Sequence, residues 1–584
     1  MIPYPAASLG RRTIHALRLL LVLASAVTCC LSPPARAQTA QQIGDQARQI
    51  ERIQQEQQER QRQQLLEDAR TRRERAPQAL PEVPKPSLPA TGVCREIKEI
   101  VLTGVTQLSQ SERETLIAPY RDRCLQAADI ERLLGDIVKA YIDRGFIAVR
   151  PYLRAQDLSG GRLEIMIVEG QVESILLEDG GKSSINLTTA FPGVVGGVLN
   201  LRDIEQGVEQ VNRLAANNAT MEILPGNEAG DSIVRVTNEP AFPFGFSASA
   251  DNLGNKSTGV NELGATVNAS NPLRLNDFLS YTHRESLPAD RDQRRSVMDS
   301  AYYSVPFGYA LFSLSYSASD YRTPVTLTSG NVFSSTGDSR ATSARVDWVG
   351  YRDQAQKLTA SAGITQKSNN NYLEGQLLEV SSRKLSILDV DLLWNRFIAG
   401  GALSFGVGYS QGLEIMGALS DDADLATASP HAQGGKYRAS AGLFLPFKVG
   451  SLDASLSSQF NGQYALQGLY STEQMLIGSY YTVRGFVNNS LSGNRAFYLR
   501  NDLALTFSDT PLPGVTLRPY LGFDIGRVGA YGDTVAGNLS GCALGVRINS
   551  KTLAADISLV QPLSVPNDMV KESARLLATI TLSL

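Results

Sequence analysis

The sequence is poor in the residues that build metal centres, nucleic-acid interfaces and membrane-spanning helices. It has five cysteines and three histidines among 584 residues, and its 55 basic residues nearly cancel its 58 acidic ones. A chain without net positive charge gives no indication of a nucleic-acid partner. The cysteines form no cluster with enough ligands for a metal, so neither a metal nor a cofactor is expected. Beyond residue 37 no run approaches the roughly 18 apolar residues of a membrane-spanning helix, so a membrane role has to come from strands.

The N-terminus has the pattern of a secretory signal peptide, which we assign to residues 1–37. A basic start precedes the apolar run Leu19–Cys30, and Ala35-Arg36-Ala37 offers a small-residue cleavage site before Gln38. The apolar run is too short to span a bilayer, so the pattern predicts export.

Three cysteines remain in the exported chain. Cys94 and Cys124 flank one small predicted domain, whereas Cys542 lies far away in the sequence. In an oxidising compartment we expect a Cys94–Cys124 disulfide, which would stabilise the domain by about 3 kcal/mol through the loop it closes. Cys542 is then expected to be a free, buried thiol.

Residues 38–75 and 76–91 differ sharply in composition. The first segment is rich in Gln, Glu and Arg and has only a thin apolar stripe, which predicts a helix without a hydrophobic core of its own. Such a helix suits either free solvent or a polar, water-filled cavity. The second segment carries repeated prolines and predicts a semi-rigid, extended linker.

Two small α/β units follow, at residues 92–168 and 169–239. The first has apolar residues at helical spacing over 127–144 and strand patterns on either side of that stretch. The same order, β-α-α-β-β, recurs more loosely in the second unit. Repetition of one unit favours a modular arm over its alternative, a single larger α/β domain.

From residue 240 to residue 584 the chain reads as successive alternating strands. One example alternates Leu517, Leu521, Phe523 and Ile525 with Thr516, Arg518, Tyr520, Gly522 and Asp524. Alternation alone also fits a soluble sandwich. Charged residues recur on the polar face of these strands, and the segment has no helix pattern. Both features favour a barrel with a water-filled interior. The last strand pattern reaches Leu584, as expected of a strand that closes against the first.

Two short motifs suggest a contact inside this barrel. Val483-Arg484-Gly485-Phe486 lies in a loop, and Phe523-Asp524-Ile525-Gly526 lies on a strand. An arginine that enters an interior of low dielectric constant needs a carboxylate, and Asp524 is a suitable partner. The alternative is a solvated loop arginine and an unrelated aspartate.

Several further motifs occur in one fixed order along the chain. They are Tyr141–Leu153, Gln156–Gly161, Val168–Val172, Leu224–Gly226, Asp251–Gly254, Asn271–Leu273 and Tyr303–Gly308. With the loop and strand motifs, they resemble the outer-membrane transporters of two-partner secretion. These transporters, the TpsB/ShlB-type haemolysin secretion/activation proteins, belong to the superfamily that also contains the barrel-assembly insertases. The usual terminal aromatic residue is replaced here by Leu584.

The resemblance implies a mainly β fold with a 16-stranded antiparallel transmembrane barrel at residues 240–584. Helix 38–75 would plug the pore, and two β-α-α-β-β POTRA (polypeptide-transport-associated) domains would lie in the periplasm. Loop six, at about 467–495, would bring Val483, Arg484, Gly485 and Phe486 to the wall residues Phe523, Asp524 and Gly526.

The function implied is export of one large partner exoprotein through the outer membrane of a Gram-negative bacterium, without enzymatic activity. The partner would be of adhesin, haemolysin or contact-dependent toxin type, and it would bind the POTRA domains, mainly the second. Outer-membrane lipids, the barrel-assembly machinery and periplasmic chaperones are the other partners implied. A barrel-protein insertase or a diffusion pore of the same superfamily is the alternative.

A remote alternative is a serine hydrolase. Gly408-Tyr409-Ser410-Gln411-Gly412 has the spacing of a nucleophile elbow, and Asp421 or Asp424 and then His431 follow in the order of an α/β-hydrolase. That motif requires a strand-turn-helix setting. Ser410 instead continues an alternating strand, so the pattern argues against catalysis.

Overall fold

The computed structural model describes residues 94–584, apart from residues 229, 327–329, 399, 509, 512, 533 and 535. The predicted signal peptide, helix 38–75 and linker 76–91 lie outside the described residues. Two small α/β units lead into a closed barrel. No helix within the described residues is both long and apolar enough to cross a bilayer.

The first unit packs two helices on a three-stranded sheet. Its elements are β1 (Arg95–Ile97), β2 (Glu99–Thr103), α1 (Gln110–Ile117), a 3-10 turn (Ala118–Tyr120), β3 (Arg123–Leu125), α2 (Ala127–Ile142), β4 (Val149–Tyr152) and β5 (Arg162–Glu169). The sheet order is β2-β5-β4. Ser109 caps α1 with a capping box completed by Glu112. Helix α2 buries Leu133, Ile137 and Tyr141 against the sheet, as its helical spacing predicts.

Strand β3 and the break between β1 and β2 were not predicted from the sequence. β1 pairs with β3, so that Glu96 lies opposite Cys124. The structure joins Cys94 to Cys124, with their Cα atoms 5.2 Å apart, beside this small ladder. A three-residue strand is too short to show a period of two, so its partner across the chain, rather than its own sequence, defines it.

The second unit repeats the arrangement of the first. It contains β6 (Gln171–Glu178), α3 (Leu187–Ala190), α4 (Leu201–Asn212), β7 (Thr220–Pro225) and β8 (Asp231–Thr237), with the sheet order β6-β8-β7. The core is formed by apolar residues from both layers, including Val172, Ile204, Val211 and Val234.

The barrel is closed by sixteen long antiparallel strands. They are β9 (Phe244–Asp251), β10 (Glu262–Ser270), β11 (Phe278–Ser286), β12 (Arg295–Phe307), β13 (Ala310–Thr326), β14 (Val332–Arg352), β15 (Gln356–Leu373), β17 (Arg383–Ile398), β18 (Gly401–Leu413), β20 (Gly435–Val449), β21 (Leu452–Ala465), β25 (Arg495–Thr506), β26 (Thr516–Val528), β27 (Gly537–Asn549), β28 (Leu553–Ser564) and β29 (Arg575–Ser583). Short strands lie in the connections between them: β16 (Gln376–Leu377), β19 (Pro430–His431), β22 (Gly468–Leu469), β23 (Met475–Ile477) and β24 (Leu491–Gly493). β29 pairs with β9 from Thr579 opposite Asp251 to Ser583 opposite Ser247, which completes the ring.

The two faces of the wall differ as a membrane barrel requires. Large apolar side chains such as Leu314, Trp348 and Leu521 are about half exposed on the outside. On the inside, Arg345 and Arg438 both pair with Asp391, at 2.9 and 2.8 Å. An apolar exterior around a charged interior excludes the soluble sandwich, whose core would be apolar. Cys542 is free but only partly buried, because it alternates with the inward-facing Gly541 on β27.

The second α/β unit docks directly on one end of the barrel. Gln210 of α4 donates to the Gly308 carbonyl at 3.2 Å, and Tyr309 donates to Asp203 at 2.6 Å. Glu209 pairs with Lys357 at 2.5 Å and with Arg352. Burial disfavours the charged form of Glu209, but these two cations outweigh it and lower its pKa to about 2. The contacts place the α/β arm at the barrel end formed by these strand turns.

Candidate functional site

Loop six, residues 466–494, leaves the wall after β21 and returns to it at β25. The short strands β23 and β24 pair within it, with Met475 opposite Gly493. Beyond this hairpin, the tip is buried against the inner wall, where Val483 is 0% exposed and Phe486 is 1% exposed. The tip therefore lies in the lumen and not in the solvent outside the barrel.

Arg484 at the tip is held by Asp524 of β26, and both side chains are fully buried. The guanidinium donates from Nε to Oδ2 at 2.6 Å and from Nη2 to Oδ1 at 2.7 Å. The backbone N–H of Arg484 also donates to Oδ2, at 3.0 Å. The bidentate hydrogen bonds fix the orientation of the guanidinium in addition to the attraction between the two charges. The carboxylate therefore holds both the side chain and the main chain of the tip.

A second carboxylate, Asp502 of β25, extends the pair into a chain of charges. Its Oδ1 lies 2.7 Å from Nη2 of Arg484, and its Oδ2 lies 2.6 Å from Nη2 of Arg547. Arg547 in turn pairs with Asp556 at 3.1 Å, and its guanidinium lies 4.2 Å from the ring centre of Tyr520. Alternating signs along this chain leave each of these charges with a counter-charge in the buried site.

Sequence analysis missed Asp502, Arg547 and Asp556. The signal that could have found them is positional, because each occupies an inward-facing position of a strand close to β26 along the wall. Asp502 lies opposite Gly522, and Arg547 lies opposite both Arg518 and Asp556. Only the strand register reveals this proximity.

Glycines of the wall make room for the loop. A Cβ on Gly522 would lie 2.6 Å from Cζ of Arg484, and one on Gly541 would collide with the Arg484 carbonyl oxygen. Gly485 itself has φ of +104°, and a Cβ there would lie 2.6 Å from the backbone of Gln561. The tip thus reaches the wall at backbone distance, where any larger residue would displace it.

The remaining predicted residues divide between two faces of the wall. Val483 packs over Gly526, where an added Cβ would approach its Cγ2 to 2.9 Å. Val483 and Phe486 share an apolar cluster with Ile477 and Tyr498. Phe523 does not take part in the contact, since strand alternation turns it outward, where it is 51% exposed.

The residues of the alternative serine hydrolase do not assemble. Ser410 lies within β18 and donates to Asp389 at 2.6 Å, with neither His431 nor Asp421 among its partners. Asp421 accepts from the backbone N–H groups of Ala432 and Gln433 instead. Within the described part of the chain, no group of three His, Cys, Asp or Glu residues could hold a metal ion.

Comparisons with known protein families agree with this architecture. Residues 230–548 match the family described as haemolysin secretion/activation protein ShlB/FhaC/HecB. Residues 96–170 match the ShlB-type POTRA domain, and residues 171–225 match a further POTRA domain.

Individual relatives are similar over most of their length. The outer membrane transporter CdiB of Dickeya dadantii is 35% identical over 81% of this chain and 84% of its own. The hemolysin transporter protein ShlB of Serratia marcescens is 32% identical over 76% of this chain and 77% of its own. The solved structure of CdiB from Escherichia coli superposes with a TM-score of 0.83 at 30% identity, and the match covers 95% of this chain and 100% of that one.

Proposed function

This chain belongs to the haemolysin secretion/activation protein family ShlB/FhaC/HecB, and from that premise we propose how it moves its partner. It is an outer-membrane transporter that secretes a partner exoprotein, and its POTRA domains lie in the periplasm. It is not an enzyme, and the family selects secretion over the insertase and diffusion-pore interpretations. The cargo proposed is one large exoprotein of adhesin, haemolysin or contact-dependent toxin type. Chaperones and the barrel-assembly machinery would act during the transporter's own biogenesis.

The Arg484–Asp524 pair is proposed to hold loop six in the position that secretion needs. The observation that carries this role is the burial of both side chains together with three hydrogen bonds from Arg484 to one carboxylate. A buried pair of this geometry resists displacement, because moving either partner leaves the other charge unpaired in a medium of low dielectric constant.

The edge strand β7 is proposed as the docking site of the partner in the second POTRA domain. Among the described residues, β7 pairs with β8 alone, so its other edge has no strand partner there. Helix α4 is already engaged by the barrel through Gln210 and Glu209, so its outer face is less available than the strand edge. An extended partner segment could add a strand there through backbone hydrogen bonds, which demand no single sequence.

The limits proposed for the domains are residues 92–168 and 169–239 for the POTRA domains and 240–584 for the barrel. Support comes from the ends of β5 at Glu169 and β8 at Thr237, and from the start of β9 at Phe244.

Residues 38–75 are proposed to plug the lumen at rest. A polar helix suits the charged inner wall around Asp391, and docking of the partner would release it.

Planar-bilayer conductance of the purified mature chain tests the pore and its plug. We expect small, flickering currents from residues 38–584 and large, stable currents from a variant without residues 38–75. Deleting residues 76–91 instead is the matched control, since it shortens the linker and keeps the helix. Equal currents from the mature chain and the helix deletion would refute the plug, and no current from either would refute an open-lumen pore.

A further inference from the structure

The root of loop six carries a carboxylate, Glu473, between two lysines of the wall. Its Oε1 lies 2.7 Å from Nζ of Lys367 on β15, and its Oε2 lies 3.1 Å from Nζ of Lys436 on β20. The three side chains are only 11%, 16% and 12% exposed. One carboxylate therefore compensates two cations that are mostly shielded from solvent, a stronger link than an exposed surface pair.

The main chain of Glu473 is held as firmly as its side chain. Lys436 donates from Nζ to the Glu473 carbonyl at 2.7 Å, and Gln463 of β21 donates to the same oxygen at 3.0 Å. Glu473 ends a short 3-10 turn that begins at Ser471. The turn is thus fastened to three different strands of the barrel.

This anchor faces a different arc of the wall from the tip. Along the ring the order runs β15-β17-β18-β20-β21-β25-β26, so the lysines lie before the point where loop six leaves the wall, and Asp524 lies after it. The polarity is also reversed. At the root a loop acid meets wall bases, whereas at the tip the loop base Arg484 meets wall acids. Loop six is therefore held at two separate sites of the wall that carry opposite charges.

We propose that Glu473 is a positioning residue for secretion, which holds the root of loop six against β15 and β20 so that its tip stays seated at Asp524. The proposal rests on the role proposed above for the tip. The opposite charges at the root and the tip disfavour an arrangement in which the two exchange places. Glu473 would then meet the wall acid Asp524, and Arg484 would meet the wall lysines, so like charges would lie together. Removing the carboxylate breaks the two ion pairs that hold the root against β15 and β20, so the root is expected to detach from the wall.

Hydrogen exchange of the full mature protein in detergent measures this directly. In Glu473→Gln, which keeps the shape and removes the charge, amides of residues 466–482 are expected to exchange faster by about tenfold. Peptides from the barrel strands keep their wild-type protection, and secretion of the partner falls. Glu414→Gln, at an exposed loop position, is the matched control and should change neither readout.

A triple variant separates anchoring from mere charge compensation. Glu473→Gln combined with Lys367→Met and Lys436→Met removes the two lysine charges together with the carboxylate but does not replace the link. Loop six should still exchange fast in it, whereas restored protection would overturn the proposal. Unchanged exchange in Glu473→Gln, or a loosened loop with normal secretion, would also overturn it. Normal secretion by an Arg484 variant would instead refute the role of the tip. Where Glu473→Gln does not assemble, Glu473→Asp keeps the charge, shortens its reach and supports the same comparison.

Discussion

Replacing Arg484 by methionine should abolish most secretion while sparing assembly of the barrel. Methionine keeps much of the side-chain volume but removes the charge and the hydrogen bonds to Asp524, whose side chain is 0% exposed. Removing one partner of a buried ion pair typically costs about 3–5 kcal/mol. The free energy is lost from the seating of one loop and not from the sixteen-strand ladder. It corresponds to a fall of about a hundredfold or more in the ratio of seated to unseated tips.

The assay compares partner protein in the medium with transporter in the outer membrane of the same cells. Assembly is read from the slower migration of the protein after heating, which reports a barrel that was folded before heating. Arg484→Lys retains the charge but cannot reproduce the planar, bidentate fork, so its secretion should lie between that of the wild type and that of Arg484→Met. Arg291→Met, at an exposed loop position, serves as the control.

Undiminished secretion by Arg484→Met at normal transporter levels would refute the reasoning. Equal loss of secretion and assembly would also contradict it, because the pair would then be needed to build the barrel. A double variant with Asp524→Asn adds a further check. If the two residues act through each other, the second substitution should cost little once the first is present.

Three further predictions concern other parts of the molecule. Because the pKa of Glu209 is lowered from its ordinary 4.5 to about 2, its contribution to docking of the second POTRA domain is complete above pH 4.5 and is lost as the pH falls toward 2. Protection of α4 amides should therefore fall between about pH 4.5 and about pH 2 in the wild type and change less in Glu209→Gln, and equal pH profiles would contradict this. Reduction of Cys94–Cys124 should destabilise the first POTRA domain by about 3 kcal/mol, measured as lost exchange protection in α2, and unchanged protection would refute it. Gly522→Ala places a methyl group within 2.6 Å of the Arg484 guanidinium carbon, so it should lower secretion although it leaves every charge in place, and normal secretion would show that the tip tolerates displacement.

Much of the fold could be predicted because its signals are local. Alternation along single strands identified the barrel half, and the repeated β-α-α-β-β order identified the arm before it. β3 and the break between β1 and β2 could not be predicted, because the three-residue strands β1 and β3 are too short to show a period of two. The Arg484–Asp524 contact could be proposed because each residue lies in a recognisable motif and a buried arginine needs a carboxylate.

Other members of the site could not be predicted, because their partners are distant in sequence. Glu473 has no motif, and its importance appears only when β15 and β20 bring Lys367 and Lys436 to it. Asp502 and Arg547 become neighbours of the tip through the register of β25, β26 and β27. Register is set by hydrogen bonding between whole strands, so it leaves no mark at the individual position.

The amino-acid sequence by itself determined which residues face lipid and which face the lumen. Side chains of a strand alternate between its two faces, and along each segment apolar residues occupy one set of alternate positions and polar residues the other. The sequence also suggested, through two motifs, an arginine that contacts an acid in the interior, but it left a solvated arginine as the alternative. The tertiary structure alone decided where loop six is held. Closing the ring brings β15, β20 and β26 around one lumen, and a charge in that confined space is stable only where the wall supplies its opposite.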